Sequence, residues 1–238
     1  MNGFLYGVAL QWKLDIRSKS LLITCYVVPL LFFAVMGGIF TSINPEAKHT
    51  LIQSMTVLGV STGALIGLPP SLVEIYGSDI KKVYKANGVP LYLGLVSMFL
   101  SSFIHLLIMC VIIYIVAPIA FGAALPTSPI LYFGSLAIFI AVSLSIGSIL
   151  GLWVKNQAKL TMISQVIFLP SIMLSGIMFS VNLLPEFFKI GGSIFPATWG
   201  YKLMVGDGSY LVNLWPLLAI LLAAVILCGL LLRGLQAE

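Results

Sequence analysis

Apolar residues along this 238-residue chain come in long unbroken runs. Residues 21–40, 52–73, 91–116, 130–154, 160–181 and 214–232 contain no Asp, Glu, Lys or Arg. A helix needs about 20 apolar residues to cross a hydrocarbon layer of about 30 Å, so each run is long enough to span. Barrel strands would instead show alternating segments of about ten residues. A continuous apolar run in lipid meets its own backbone hydrogen bonds only as a helix. The pattern predicts an all-α membrane protein with six transmembrane helices, forming a single transmembrane domain over residues 1–238.

Three interruptions carry a pattern of their own. Residues 4–18 mix Trp12, Leu14 and Ile16 with Gln11, Lys13, Asp15 and Arg17, which predicts a short amphipathic helix in the membrane interface with Trp12 at headgroup level. Residues 182–213 hold Leu184-Pro185, Phe187-Phe188, Phe195-Pro196, Trp199 and Tyr201. That stretch is too apolar to be solvated and too broken by Gly and Pro to span, so a re-entrant helical hairpin is expected there. Between the second and third runs, Ile80, Val83 and Tyr84 fall at i, i+3 and i+4 on one helical face, with Gly88 and Pro90 as stop signals. Within the runs, Gly59, Gly63 and Gly67 recur every four residues, as do Ser143, Gly147 and Gly151. Such stripes let helix backbones approach closely, either inside one bundle or between two copies.

Composition and charge sharpen this picture. The chain is 60% hydrophobic and 8% charged, with mean hydropathy +1.13; a soluble domain carries about 25% charged residues, which excludes a soluble enzyme. The net charge of +5 reads as topology rather than nucleic-acid binding. Lys13, Arg17, Lys19, Lys81, Lys82, Lys85, Lys155, Lys159 and Arg233 fall on one side, against Lys48, Lys189 and Lys202 on the other. Cytoplasmic loops carry the excess of Lys and Arg, so both termini and the second and fourth loops are expected in the cytoplasm. The run at 21–40 is too long for a cleaved signal and lacks a small-residue cleavage site behind it. Cys25, Cys110 and Cys228 lie inside apolar runs without metal-ligand spacing, as buried small hydrophobes do.

Candidate chemistry is sparse. His105 is the one histidine inside a run, and an intramembrane ionisable residue suggests function. A proton relay, however, calls for a partner carboxylate, which no run supplies, so a structural hydrogen bond is the simpler reading. No nucleophile–base set, metal cluster or G-x-x-x-x-G-K-[ST] loop is present. If ATP drives this protein, another chain hydrolyses it.

Three sets of residues together resemble the ABC type-2 permeases, the membrane subunits of ATP-binding-cassette exporters. These are the N-terminal amphipathic segment, Lys82-Val83-Tyr84-Lys85-Ala86-Asn87-Gly88-Val89-Pro90, and Leu174-Ser175-Gly176-Ile177-Met178-Phe179 followed by Pro185 and Pro196. The second set resembles the family's basic coupling segment, with Gly88 where proline is usual; the third resembles its L-S-G-x-x-F…P…P pattern. The resemblance covers almost the whole chain. It implies a six-helix half-transporter in the bacterial cytoplasmic membrane, in contact with lipid and paired with a second copy or a paralogue. Two ABC ATPase subunits would bind it, and ATP and Mg would be held there and not on this chain. It further implies that Ile80, Lys81, Lys82, Val83, Tyr84 and Lys85 dock on the ATPase. A substrate path at the dimer interface would be lined by Ser61, Thr62, Ser164, Gln165, Ser171, Met173 and Ser175. Met162, Met173 and Met178 suit a hydrophobic or amphipathic cargo such as a drug, antimicrobial peptide or lipid. Readings that compete with this one are an ion-gradient-driven carrier and a lipid-linked polysaccharide exporter.

Overall fold

The computed structural model describes residues 3–178 and 184–237, and no strand occurs among them. A helix at Gly3–Arg17 precedes six helices long and apolar enough to cross a membrane. These spans one to six are Ile23–Ile43, Leu51–Tyr76, Leu91–Phe121, Pro129–Trp153, Gln157–Leu174 and Tyr210–Gln236. A loop helix, Ile80–Ala86, joins spans two and three. Two short helices, Glu186–Gly192 and Pro196–Val205, lie between spans five and six.

Local chemistry sets the ends of these helices. Span four starts on Ser128, whose hydroxyl accepts from the Leu131 N–H, with Pro129 at the first helical position. Span five starts on Asn156, whose side chain accepts from Lys159 N–H at 3.1 Å. Span three runs 31 residues, past the expected end at 116, and stops where Gly122 turns left-handed at φ +62°. Span five does the opposite. Its apolar run continues to 181, yet the helix stops at Leu174 and the chain turns through Ser175 and Gly176, the latter at φ +87°. Periodicity alone missed this end because the residues beyond Gly176 stay apolar.

Spans two and four form the centre of the bundle. Burial reaches 89% along span two and 72% along span four, against 33% or less in the other four. Both small-residue stripes are occupied inside this core. Gly59 faces Met109 and Pro29, Gly63 faces Leu106 and Cys25, and Gly67 faces Thr24 and Cys25. Gly147 meets the Ala64 carbonyl backbone to backbone and Gly151 meets the Leu72 side chain, so spans two and four touch with no room for a Cβ. The stripes are therefore contacts within one chain rather than between copies.

Spans one and two each contain one wide π-type turn, Ile23–Val27 and Gly63–Gly67. In each, a bond skips one residue further than in an α-helix: Val28 N–H donates to Ile23 O, and Leu68 N–H to Gly63 O. Each wide turn sits just before proline, at Pro29 and at Pro69. Proline has no N–H to give the carbonyl four residues back, and the shifted register absorbs that loss. The two wide turns pack on each other, with Thr24 and Cys25 against Gly67.

The N-terminal helix does not lie free of the bundle. Its Trp12 ring stacks on His105 of span three, and Asp15 is only 5% exposed.

Candidate functional site

At one end of the bundle the ends of several spans gather around the loop helix. Gly77 packs near the Lys155 carbonyl, Gln157 Nε2 donates to the Pro70 carbonyl at 3.4 Å, and Lys85 Nζ donates to the Gln236 carbonyl at 2.9 Å. The loop helix follows a turn in which Ser78 Oγ accepts from Ile80 N–H. It ends as expected at Gly88, which is left-handed at φ +65° while Val89 N–H donates to Tyr84 O.

The six residues expected at an ATPase contact all sit on this helix but do not share one face. Ile80 and Val83 point away from the protein, 44% and 56% exposed. Tyr84 turns inward, its ring against Gly94 of span three. Beside it the Tyr76 hydroxyl donates to the Leu91 carbonyl at 2.6 Å. Tyr84 thus belongs to the joint that ties the helix to spans two and three, and the outward apolar pair is Ile80 and Val83. Lys82 pairs with Asp79 at 2.8 Å, and Lys81 is half-buried with a partner of its own. Hydrogen bonding and charge from Lys82 hold the Asp79 carboxyl below its usual range, and Asp79 raises Lys82 in return.

The residues expected to line a substrate path divide in two. Ser61, Thr62, Ser164, Ser171 and Ser175 are buried within the chain. Thr62 and Ser175 spend their hydroxyls on the carbonyls of Leu58 and Ile172, and Ser164 Oγ has no partner. Gln165 and Met173 face outward. With Met162, Val166 and Leu169 they make an exposed stripe along span five. The predicted set therefore does not converge on one surface: Ser61 and Thr62 lie in the enclosed span two, Ser164, Ser171 and Ser175 on the buried side of span five and its corner, and Gln165 and Met173 on its outer side.

The Leu174-Ser175-Gly176 motif forms a corner. Leu174 packs against Gly192, whose carbonyl accepts from Thr198 Oγ1 at 2.6 Å, and Pro196 opens the following helix. That helix buries Ala197, Thr198, Gly200, Leu203 and Met204, with Gly200 against the Phe139 ring of span four. Pro185 precedes the first short helix and is exposed. Phe179 lies outside the described residues.

One constellation escaped the sequence reading. Asp15 accepts from Gln11 Nε2 at 2.7 Å and from Ser101 Oγ of span three. One turn along span three, His105 stacks on Trp12 and its Nδ1 lies 2.8 Å from the Tyr26 hydroxyl of span one. A carboxylate therefore does stand beside the span-three histidine, supplied by the N-terminal helix. The signal was present as two i, i+4 polar pairs, Gln11/Asp15 and Ser101/His105. Among the described residues, no group of His, Cys, Asp and Glu could hold a metal ion.

A sequence model of one protein family, described as ABC-2 type transporter, matches residues 4–206. No curated protein matches the chain.

Proposed function

Because the chain belongs to the ABC-2 type transporter family, we propose that it is the membrane-spanning half of an exporter driven by ATP hydrolysis on a separate subunit. It is a multi-pass membrane permease. The observation that carries the reading is the loop helix, with an outward apolar pair, Ile80 and Val83, and a back anchored to two spans through Tyr84 and Tyr76. An apolar pair in a basic setting suits the groove of a partner protein. The anchored back suits the transfer of a tilt into spans two and three.

In this reading two ATPase subunits hold ATP and Mg and sit beneath a pair of permease chains, this one with a second copy or a paralogue. ATPase closure moves the loop helix, and a bundle with two arrangements couples that motion to cargo release. The bias of Lys and Arg supports a bacterial cytoplasmic membrane reading with the loop helix and both termini on the cytoplasmic side. The outer segment is read as re-entrant, since Gly200 reaches Phe139, ten residues (about 15 Å) along span four from Pro129. The N-terminal helix is read as interfacial. The cargo is hydrophobic or amphipathic, because the outward stripe of span five offers Met162, Val166, Leu169 and Met173 with a single amide, Gln165.

The test is co-purification of the chain with an ABC ATPase, followed by cargo-stimulated ATP hydrolysis in vesicles. Absence of any ATPase partner would overturn the reading. Asp15 beside His105 lends the ion-gradient carrier one specific observation. Flux that persists without ATP and collapses with the pH gradient would favour it.

A further inference from the structure

The N-terminal helix has two unlike faces. At about 100° per residue, Gln11, Trp12 and Asp15 share the side that packs on span three. There Trp12, expected at headgroup level, is turned inward onto His105, and Asp15 is held by Gln11 and Ser101. Lys13 and Arg17, four residues apart, come out on the opposite side, and both are exposed. Leu10 and Leu14 flank them on one shoulder and Ile16 on the other, all three exposed as well. Asp15 is the one acid in this helix, so its outward face carries two positive charges with no carboxylate of its own. Among the described residues neither cation is ion-paired.

Span one fixes the level at which this face stands. Span three has 31 residues, about 46 Å of helix, against a hydrocarbon layer of about 30 Å. Gly37 of span one meets Phe121 at the far end of span three, while Tyr26, near the start of span one, already reaches His105. Residues 91–104 of span three thus extend past the start of span one, on the side of the loop helix. The N-terminal helix packs along that stretch, with Gly7 beside Ser97 and Asp15 on Ser101. It therefore stands where span one enters the bilayer. Water at that level would suit the cations and not the leucines, and hydrocarbon the reverse. A layer of phosphate headgroups over acyl chains takes both.

We propose that this face binds anionic phospholipid headgroups of the leaflet on the loop-helix side, with Lys13 and Arg17 on the phosphates and Leu10, Leu14 and Ile16 entering the interface. The proposal rests on the interfacial reading of the N-terminal helix and adds the class of lipid to it. Because the opposite face is fixed to span three, the bound lipid is joined to the bundle and not to a loose tail.

The test is local. The full-length chain with Ala9→Cys, an exposed position beside Lys13, is labelled with a fluorophore; the three native cysteines are buried. It is placed in phosphatidylcholine nanodiscs holding a minor fraction of chain-brominated phosphatidylglycerol or chain-brominated phosphatidylcholine as quencher. Enrichment of the brominated phosphatidylglycerol at the label should be about fivefold or more, the value of a single cation near an anionic leaflet. Lys13→Gln with Arg17→Gln should make the two quenchers equal, while Lys189→Gln leaves the difference intact. Both substituted side chains are exposed, so the melting temperature in detergent should not move, which separates lost lipid binding from lost folding. Equal quenching before substitution, or a difference indifferent to it, overturns the proposal and leaves the helix in the interface. Quenching by neither lipid takes the helix out of the interface, and the reading beneath the proposal falls with it. A label shielded from both lipids only when an ABC ATPase is bound assigns the face to a protein partner and overturns the proposal as well.

Discussion

The indole of Trp12 lies flat on the imidazole of His105, ring centroids 4.1 Å apart and planes 12° from parallel. This contact joins the N-terminal helix to span three, and Tyr26 adds span one through its 2.8 Å hydrogen bond to His105 Nδ1. Three elements thus meet on one side chain. The geometry predicts a hierarchy of substitutions. His105→Phe keeps the stack and loses the bond to Tyr26, at a cost of about 1 kcal/mol, or about 2–4 °C of melting temperature. His105→Ala loses both and should cost more than twice that. On the proposed function, in which His105 serves only to pack and hydrogen-bond, His105→Gln should keep transport; a loss of transport with intact folding would make the histidine a participant. Thermal melts and vesicle transport on the three variants decide.

The outward and inward faces of the loop helix predict opposite phenotypes. Ile80→Asp with Val83→Asp places charge on the exposed pair, so the chain should fold normally yet lose cargo-stimulated ATP hydrolysis by tenfold or more. Tyr84→Asp places charge against Gly94 and beside Tyr76, so it should lower the melting temperature and expression. The two effects are read by ATPase assay and by size-exclusion profile. Normal coupling in the Ile80/Val83 double variant would remove the loop helix from the mechanism.

Close packing in the core predicts sensitivity at single glycines. A Cβ on Gly147 overlaps the Ala64 carbonyl, which is backbone and cannot rotate away. Gly147→Ala should destabilise by about 1–3 kcal/mol, the usual cost of overpacking. At Gly59 the obstacle is the flexible end of Met109, so Gly59→Ala should cost less, and pairing it with Met109→Ala should relieve the clash. At Gly134 nothing lies within 4 Å, which makes Gly134→Ala the neutral control.

The pair Asp79–Lys82 sets a pH expectation. The folded-state pKa of Asp79 is lowered, so the contribution of the pair is present above the ordinary carboxylate pKa, near 4, and fades as pH falls through the lowered value. Between pH 5.5 and 8 the pair is constant. Both groups are fully solvated and contribute little. Asp79→Asn should therefore leave the pH profile of ATP hydrolysis over that window unchanged; a profile that moves would make Asp79 part of the docking contact.

The number and class of the spans were legible because lipid imposes a one-dimensional rule of length and continuity that runs such as 91–116 obey. The loop helix was legible because Gly88 is a stop signal whose geometry is local. The facing of Tyr84 was not, since i, i+3, i+4 spacing allows it to share the face of Ile80 and Val83, and only Gly94, ten residues on, opens the space that draws it inward. Span five's end was hidden because Gly176 sits within an unbroken apolar run. Asp15 was misjudged for a different reason. A single carboxylate in an amphipathic segment looks solvated until Ser101, 86 residues away, provides the hydrogen bond that lets it be buried.

A turn closed over five residues holds one residue more than the helix around it, so spans one and two each carry a spare residue, and at the same depth. Tightening either turn to the α-helical register would rotate everything beyond it by about 100°, the angle of one residue. Cys25 and Thr24 would then lose their places against Gly63 and Gly67. Since each wide turn packs on the other, a change of register in one would displace the other.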